Sequence, residues 1–291
     1  MQTIASARAW AVEELRRAQV ESPALAADLL IGQVLGWDRV RVLGHTEQPV
    51  RHEAWIRLQD LVLRRARGEP LHYLTGEREF YGLPFRVTPD VLIPRPETEI
   101  LVEKALDLLG AGGPSRPRFV DVGTGSGCIA ISIAHENPST IGWAVDISAA
   151  ALRVAQDNAA RHGVAGRIQW IQADLLECFP PAPRFHMILC NPPYVPLAEY
   201  DSLPSDVRDY EPHKALFGGR SGLEVYGRLI PEVSSRLASG GCLLLELGAG
   251  QADEIRKLVE SEGLCLEGIV NDLQGIARCL VGRKVPRRDD G

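Results

Sequence analysis

Four consecutive residues, Asn191-Pro192-Pro193-Tyr194, follow directly on the apolar run Phe185-His186-Met187-Ile188-Leu189-Cys190. Two prolines fix φ and remove two backbone donors, which leaves rigid carbonyls as acceptors. The Asn191 side-chain oxygen and the Pro192 carbonyl can then receive both hydrogens of one NH2 group. The lone pair of an amide or aromatic amine is delocalised and barely nucleophilic. Bonding both N–H groups favours a pyramidal nitrogen and offsets positive charge as a methyl arrives, and interactions that strengthen in the transition state are the ones that raise the rate. Tyr194 supplies a flat face to hold a planar group in line for attack. Asn191, Pro192 and Tyr194 are thus the candidate catalytic residues, and Pro193 joins them in holding a substrate. Read alone, the same four residues make an ordinary proline turn after a strand, so what precedes them decides.

Upstream, Arg118-Phe119-Val120-Asp121-Val122-Gly123-Thr124-Gly125-Ser126-Gly127-Cys128-Ile129-Ala130 reads as a strand, a glycine turn and a helix. Dinucleotide sites use G-x-G-x-x-G at such a turn, with a pyrophosphate on the helix N-terminus. Here Cys128 takes the place of the third dinucleotide glycine, and Asp121 puts a negative charge at the loop mouth. That carboxylate would repel a pyrophosphate and suits a cation such as a sulfonium with an α-amino group. Asp146 ends a second apolar run 23 residues beyond Gly123, where an acid can accept from both ribose hydroxyls of an adenosine. Its plainer role would be to cap the helix that starts near Ser148. Asp174 ends a third run, able to accept from the adenine amine while the Leu175 N–H meets a ring nitrogen. A lone strand-end Asp is usually a turn residue, so this role leans on the other two acids.

No phosphate-binding Lys or Arg stands in these three loops. The order of acids describes an S-adenosylmethionine site, with S-adenosylhomocysteine as product, made by Asp121, Gly123, Thr124, Gly125, Ser126, Gly127, Asp146, Asp174, Leu175 and Asn191. The sulfonium already activates the methyl, so neither a metal nor a covalent nucleophile is expected.

Composition narrows the class. Of 291 residues, 45% are hydrophobic and 24% charged, as in ordinary soluble proteins, and the net charge of −6 provides no global field to recruit nucleic acid. Residues 1–90 hold twelve arginines, no lysine and twelve acids, so the acidic excess lies beyond them. The six cysteines form no C-x-x-C pair and several sit in apolar runs, which predicts reduced, buried thiols; the histidines show no metal-ligand spacing. Residues 1–20 do not make a signal peptide, and no apolar stretch is long enough to span a bilayer, so the expected compartment is the cytoplasm.

The elements that must position these residues follow from periodicity. Residues 1–85 read as helical: Ser22-Pro23 predicts a helix start that runs to Gly36, and a second stripe through Trp55, Ile56, Leu58, Leu61 and Leu63 ends near Gly68. Residues 76–97, with four prolines, suit a connector with one short hairpin. A helix is expected over 97–110, then strands at 117–122, 141–146, 167–172, 184–190, 241–247, 264–270 and 276–282, with helices at 148–161, 222–238 and 250–262. That alternation predicts an α/β fold with a mainly parallel, doubly wound sheet. Residues 271–275 are too few for a parallel crossover, so the last two strands should pair antiparallel. A polar tail at 287–291 is expected to fray.

With these motifs together, the chain resembles the HemK/PrmC family, the protein-(glutamine-N5) methyltransferases of peptide chain release factors. The glycine loop with Asp146 and Asn191-Pro192-Pro193-Tyr194 matches amino-methyltransferases broadly. More specific are Tyr73-Leu74-Thr75-Gly76-Glu77-Arg78-Glu79-Phe80-Tyr81-Gly82, Leu92-Ile93-Pro94-Arg95-Pro96-Glu97-Thr98-Glu99, Tyr210-Glu211-Pro212-His213-Lys214-Ala215-Leu216-Phe217-Gly218-Gly219 and Asp272-Leu273-Gln274-Gly275-Ile276-Ala277-Arg278. His186 and Leu175 are small departures, and Leu175 bears on adenine packing. The resemblance implies an all-α substrate-recognition bundle over 1–85, a hairpin linker over about 76–96, and a seven-stranded Rossmann-like class I methyltransferase domain over 86–291. It implies as methyl acceptor the glutamine of the release factors' Gly-Gly-Gln loop, hence a role in translation termination. A monomer is expected, with release factors as partners and neither membrane nor direct nucleic-acid binding.

Three other classes fit the motifs less well. An adenine-N6 or guanine-N2 nucleic-acid methyltransferase could use the same turn but needs a basic surface to track phosphates. A cofactor-binding module without catalysis would keep the loop and leave Asn191 idle. A nicotinamide dehydrogenase is weaker still, because the loop lacks its final glycine.

Overall fold

The computed structural model describes residues 2–110 and 114–285. The chain divides into two compact units, Met1–Glu77 with Pro204–Tyr210, and Arg78–Leu203 with Glu211–Gly291. The tail predicted to fray at 287–291 lies outside the described residues.

The first unit holds α1 (Ile4–Arg17), α2 (Pro23–Leu35), α3 (Arg39–Gly44), α4 (His52–Ala66) and α5 (Leu71–Thr75). A reciprocal cap starts α1: the Thr3 hydroxyl accepts the Ser6 N–H at 3.3 Å and the Ser6 hydroxyl accepts the Thr3 N–H at 3.0 Å. α2 runs from Pro23 to the stop at Gly36 as the sequence predicts, but the expected Ser22 cap is not made, because Ser22 turns into a left-handed conformation and its hydroxyl bonds no helix N–H. The apolar stripes meet through Ala7, Ala11, Leu15, Leu30, Ile31, Leu58 and Val62. Asp28 is fully buried among them and is held by Arg8 at 2.5 Å and Arg39 at 3.1 Å, as a buried charge must be. Residues 204–210 belong to this unit through the Tyr210 hydroxyl, which donates to the Arg67 carbonyl at 3.3 Å, and the Arg65–Asp206 ion pair.

A hairpin of β1 (Glu77–Phe80) and β2 (Leu83–Arg86) turns at Tyr81-Gly82, inside the segment where the sequence predicts one. Phe80 and Phe85 are buried in the core of the second unit, which makes the hairpin part of that unit's packing. After a 3-10 turn at Pro96–Thr98 come α6 (Glu99–Gly110), β3 (Arg118–Val122), α7 (Cys128–Glu136), β4 (Ile141–Asp146), α8 (Ala149–Arg161), β5 (Ile168–Gln172) and β6 (Phe185–Cys190). Then follow α9 (Ser205–Tyr210), α10 (His213–Leu216), α11 (Glu224–Arg236), β7 (Leu237–Glu246), α12 (Ala252–Ser261), β8 (Leu264–Asn271) and β9 (Ala277–Lys284).

Seven strands form one sheet in the order β5-β4-β3-β6-β7-β9-β8. The first five are parallel and β9 is antiparallel to both of its neighbours. β7 starts at Leu237, earlier than predicted, because Ser239-Gly240-Gly241 breaks the apolar pattern without breaking the strand. Side chains alternate: Phe119 joins one core layer, and Val120 and Val122 the other. Val122 is level with Val145 and with Cys190, so Gly123, Asp146 and Asn191 leave the sheet at the same edge. That edge lies where the strand order reverses, between β3 and β6, the crevice in which open α/β sheets bind ligands.

Candidate active site

A cavity of about 510 Å³ opens at this edge, and every residue on its wall belongs to the second unit. The size suits a drug-sized cofactor. Gly123, Thr124, Gly125, Ser126, Asp146, Asp174, Leu175, Asn191 and Pro193 all line it, so most of the residues singled out in the sequence converge there. The glycine loop hangs on β4, with the Gly123 and Thr124 N–H groups donating to the Val145 carbonyl at 2.8 and 3.0 Å.

Asp146 has two duties in this geometry. One carboxylate oxygen accepts the Gly125 N–H at 2.9 Å, the other the Ser148 N–H at 2.8 Å, while the Ser148 hydroxyl caps α8. Its carboxyl pKa is raised by burial, with the backbone donors opposing that shift. Leu175, also on the wall, holds a left-handed φ of 48°, a strained setting for a branched residue.

Asp121 is placed differently from the expectation of a charge at the loop mouth. Strand alternation turns it away from the cavity, fully buried beneath the loop, where it accepts from the Thr124 hydroxyl at 2.6 Å and the Ala130 N–H at 3.3 Å. It thus serves the first turn of α7, whose N-terminal dipole favours an acid. Burial nevertheless pushes its pKa up to about 7, and its Oδ1 has no hydrogen-bond partner among the described residues. Gly127 likewise shapes the loop without lining the cavity.

At the end of β6 the Asn191 Nδ2 donates to the Thr98 hydroxyl at 3.1 Å. Thr98 is itself on the wall, brought in from the segment before α6. Pro192 is buried and Tyr194 is half-buried, and neither lines this cavity. The Tyr194 hydroxyl donates to Glu246 at 3.4 Å and its carbonyl accepts from Gln251 at 3.0 Å. Gly222, at φ 80°, packs so closely here that a Cβ would lie 2.2 Å from the Tyr194 carbonyl oxygen. Val195 and Gly218 complete the seat: Val195 N–H donates to the Leu216 carbonyl and Gly218 N–H to the Val195 carbonyl.

Cationic groups that the three loops lack arrive from elsewhere. Arg228 of α11 donates to Asp174 at 2.7 Å, which commits one oxygen of that acid. Arg95 pairs with the buried Glu211 at 2.5 Å, and Glu211 also accepts the Ile93 N–H at 3.2 Å. Arg95, Lys214 and Arg228 all reach the wall. They lie far apart in sequence and share no motif; the family-like stretches 92–99 and 210–219 contain Arg95, Glu211 and Lys214, while Arg228 falls in neither.

The sheet order, the glycine loop at its switch point and the strand-end acids define a class I, Rossmann-like methyltransferase. A methyltransferase from Pyrococcus furiosus shares the fold, with a TM-score of 0.52 at 16% identity over 78% of this chain and 98% of its own. Residues 6–76 match the family model described as the PrmC N-terminal domain, and residues 98–202 the methyltransferase small domain. A release factor glutamine methyltransferase of Koribacter versatilis is 42% identical over 94% of this chain and 96% of its own length, and one of Bradyrhizobium diazoefficiens is 39% identical over 98% and 96%. The chain belongs to the release factor glutamine methyltransferase family.

Proposed function

We propose that this protein transfers a methyl group from S-adenosylmethionine to the side-chain nitrogen of the glutamine in the Gly-Gly-Gln loop of peptide chain release factors. The observation that carries the reading is Asn191: its amide nitrogen is engaged inward by Thr98, which leaves Oδ1 to accept from a visiting NH2 group on the wall of the glycine-loop cavity. The names of relatives at about 40% identity supply the acceptor.

The donor set suits the cofactor. Apolar Val122, Ile129, Val145 and Leu175 line the cavity with the glycine loop and three acids, Asp90, Asp146 and Asp174. Gly123, Thr124, Gly125 and Ser126 would hold the amino-acid end, Asp146 the ribose, and Asp174 with Leu175 the adenine, while Asp121 and Gly127 keep the loop in shape. When bound, S-adenosylmethionine supplies an activated methyl carbon. Asn191 Oδ1 and the Pro192 carbonyl orient the acceptor NH2, and Pro193 and Tyr194 keep those oxygens rigid. No helix among the described residues is long and apolar enough to cross a membrane. The helices of the first unit act in this reading as the substrate-recognition part of a cytoplasmic monomer that takes protein rather than nucleic acid.

The test is incubation of the enzyme and cofactor with purified release factor, tRNA or duplex DNA. Peptide mass spectrometry should find one methyl on the Gly-Gly-Gln glutamine. Label on nucleic acid alone would overturn the assignment.

A further inference from the structure

The glycine-loop cavity takes its walls from the ends of β3 to β6 and from segments packed over them, and no described residue of β7, β8 or β9, or of the segments that join them, lines it. A bound cofactor would thus fill one half of the sheet edge, with Asn191 at its border, because β6 is the middle strand. β8 is antiparallel to β9, and β9 to β7, so β8 ends at the same edge as β6. The turn from β8 to β9 therefore closes the other half, two to three strand spacings, roughly 10–15 Å, from Asn191. In that turn Leu273 is fully exposed, at a place where Asn, Asp, Gly or Ser would serve the backbone as well. The frame beneath it is fixed. Asp272 accepts the Gln274 and Ile276 N–H groups and the Arg278 guanidinium, each at 2.9 Å, and its own N–H donates to the Ile276 carbonyl at 2.8 Å. The other exposed large apolar side chains of the second unit, among the described residues, are Ile147, Leu197, Tyr200 and Val285. Ile147, Leu197 and Tyr200 follow the ends of β4 and β6 at this edge, whereas Val285 follows β9 at the opposite one. The Tyr200 ring packs against His213 and Phe217 of the cavity wall, with centroids 5.7 Å apart. Exposed apolar surface of this unit is thus concentrated on the edge that carries Asn191.

We propose that Leu273 is a docking knob for the methyl-accepting protein: it enters an apolar recess on that protein's folded surface while the acceptor loop reaches Asn191, with Leu197 and Tyr200 as a second point of contact. The proposal rests on the release-factor reading above and adds where that partner is gripped. Three observations select a folded protein as the occupant. A leucine offers nothing to phosphates, which a nucleic-acid strand would need along its path. The separation of Leu273 from the end of β6 exceeds the reach of one side chain, so a partner that meets both must present a surface. The hydrogen bonds of Asp272 hold the turn in place before any partner arrives, so docking there requires little new ordering. Leu273 adds nothing to the core, so its replacement separates docking from folding.

Leu273→Ser, Leu273→Met and, as a control, Val285→Ser in the full chain test this, with intact release factor as acceptor. Leu273→Ser should raise KM for release factor about tenfold or more, the scale set by burying one leucine side chain. Its kcat at saturating acceptor, its S-adenosylmethionine affinity in titration calorimetry and its melting temperature should match the wild type. Leu273→Met should keep most of the wild-type KM, and Val285→Ser, an exposed apolar residue lost from the opposite edge, should keep all of it. The docking role is overturned if Leu273→Ser retains the wild-type KM, if Val285→Ser raises KM equally, or if the loss falls on kcat alone. Failure of the wild type to methylate release factor would remove the function reading and this inference with it. Methylation with an unmoved KM in Leu273→Ser would remove this inference alone.

Discussion

Asp146 and Gly125, 21 residues apart in the chain, are joined by a hydrogen bond of 2.9 Å from the loop N–H to the strand-end carboxylate. The same carboxylate takes the Ser148 N–H, so one side chain ties the glycine turn to the start of α8. Loop shape and the proposed ribose contact therefore share a residue.

Asp146→Ala should weaken S-adenosylmethionine binding in isothermal titration by about tenfold or more, since a hydrogen bond to a charged group contributes roughly 1.5–3 kcal/mol. Asp146→Asn, which keeps one acceptor oxygen, should fall between. Equal affinity in all three proteins would reduce Asp146 to a helix cap.

Gly222→Ala forces a methyl to 2.2 Å from the Tyr194 carbonyl oxygen, whereas Gly250, with a similar φ of 79°, has open space around its Cβ position. Both changes carry the strain of a left-handed residue, about 1 kcal/mol, but only the first adds overpacking of about 1–3 kcal/mol. Urea denaturation should rank Gly222→Ala well below Gly250→Ala, and only the former should lose turnover. Equal losses would contradict the close packing of the turn.

Burial raises the carboxyls of Asp121 and Glu246 to about 7. In the folded protein they stay neutral where the unfolded chain has already ionised them, so unfolding releases protons. Stability should then fall as pH rises from about 5 to 7 and level off above. Glu224, held down to about 2 chiefly by the Ser221 N–H, works the other way, but its contribution is complete above the ordinary carboxylate range. His186, whose pKa burial lowers, opposes the slope near its ordinary value. Comparing urea midpoints of wild type and Asp121→Asn across pH 5 to 8 isolates the acid: the variant should show the shallower decline. A wild-type profile no steeper than that of the variant would exclude a neutral Asp121.

The motifs that lie within one stretch of chain were legible. Asn191-Pro192-Pro193-Tyr194 and the glycine loop each read as strand followed by turn, and five residues between β8 and β9 were enough to predict their antiparallel pairing. Asp121 was placed on the wrong side of its loop because the parity of a fully buried parallel strand leaves no polar–apolar alternation to read. Thr98, Arg228 and Glu246 were given no role, since only folding brings the start of α6, the middle of α11 and the end of β7 to one cavity edge and its backing. Family resemblance pointed at the Thr98 segment without saying what the hydroxyl does.

The thiols give a further check, because the expectation of six buried cysteines holds for four. Cys128, Cys190, Cys242 and Cys279 are buried, while Cys178 and Cys265 are exposed, the first on a loop and the second on the edge strand β8. Burial pushes Cys128 and Cys279 up to about 12. A chromogenic disulfide reagent should titrate two thiols rapidly in the native protein and six in denaturant. Rapid native reaction of a third would show that the sheet opens on that timescale.

The tight seat behind Tyr194 bears on how such an enzyme can change. Its neighbours at Gly222 and Gln251 meet the turn mainly through the Tyr194 carbonyl oxygen. A pocket framed by side chains can be enlarged one methylene at a time, but a socket framed by main chain offers no such gradual steps. Altered preference for the visiting residue should therefore arise where segments such as 212–217 line the cavity, leaving the anvil untouched while the opening is recut.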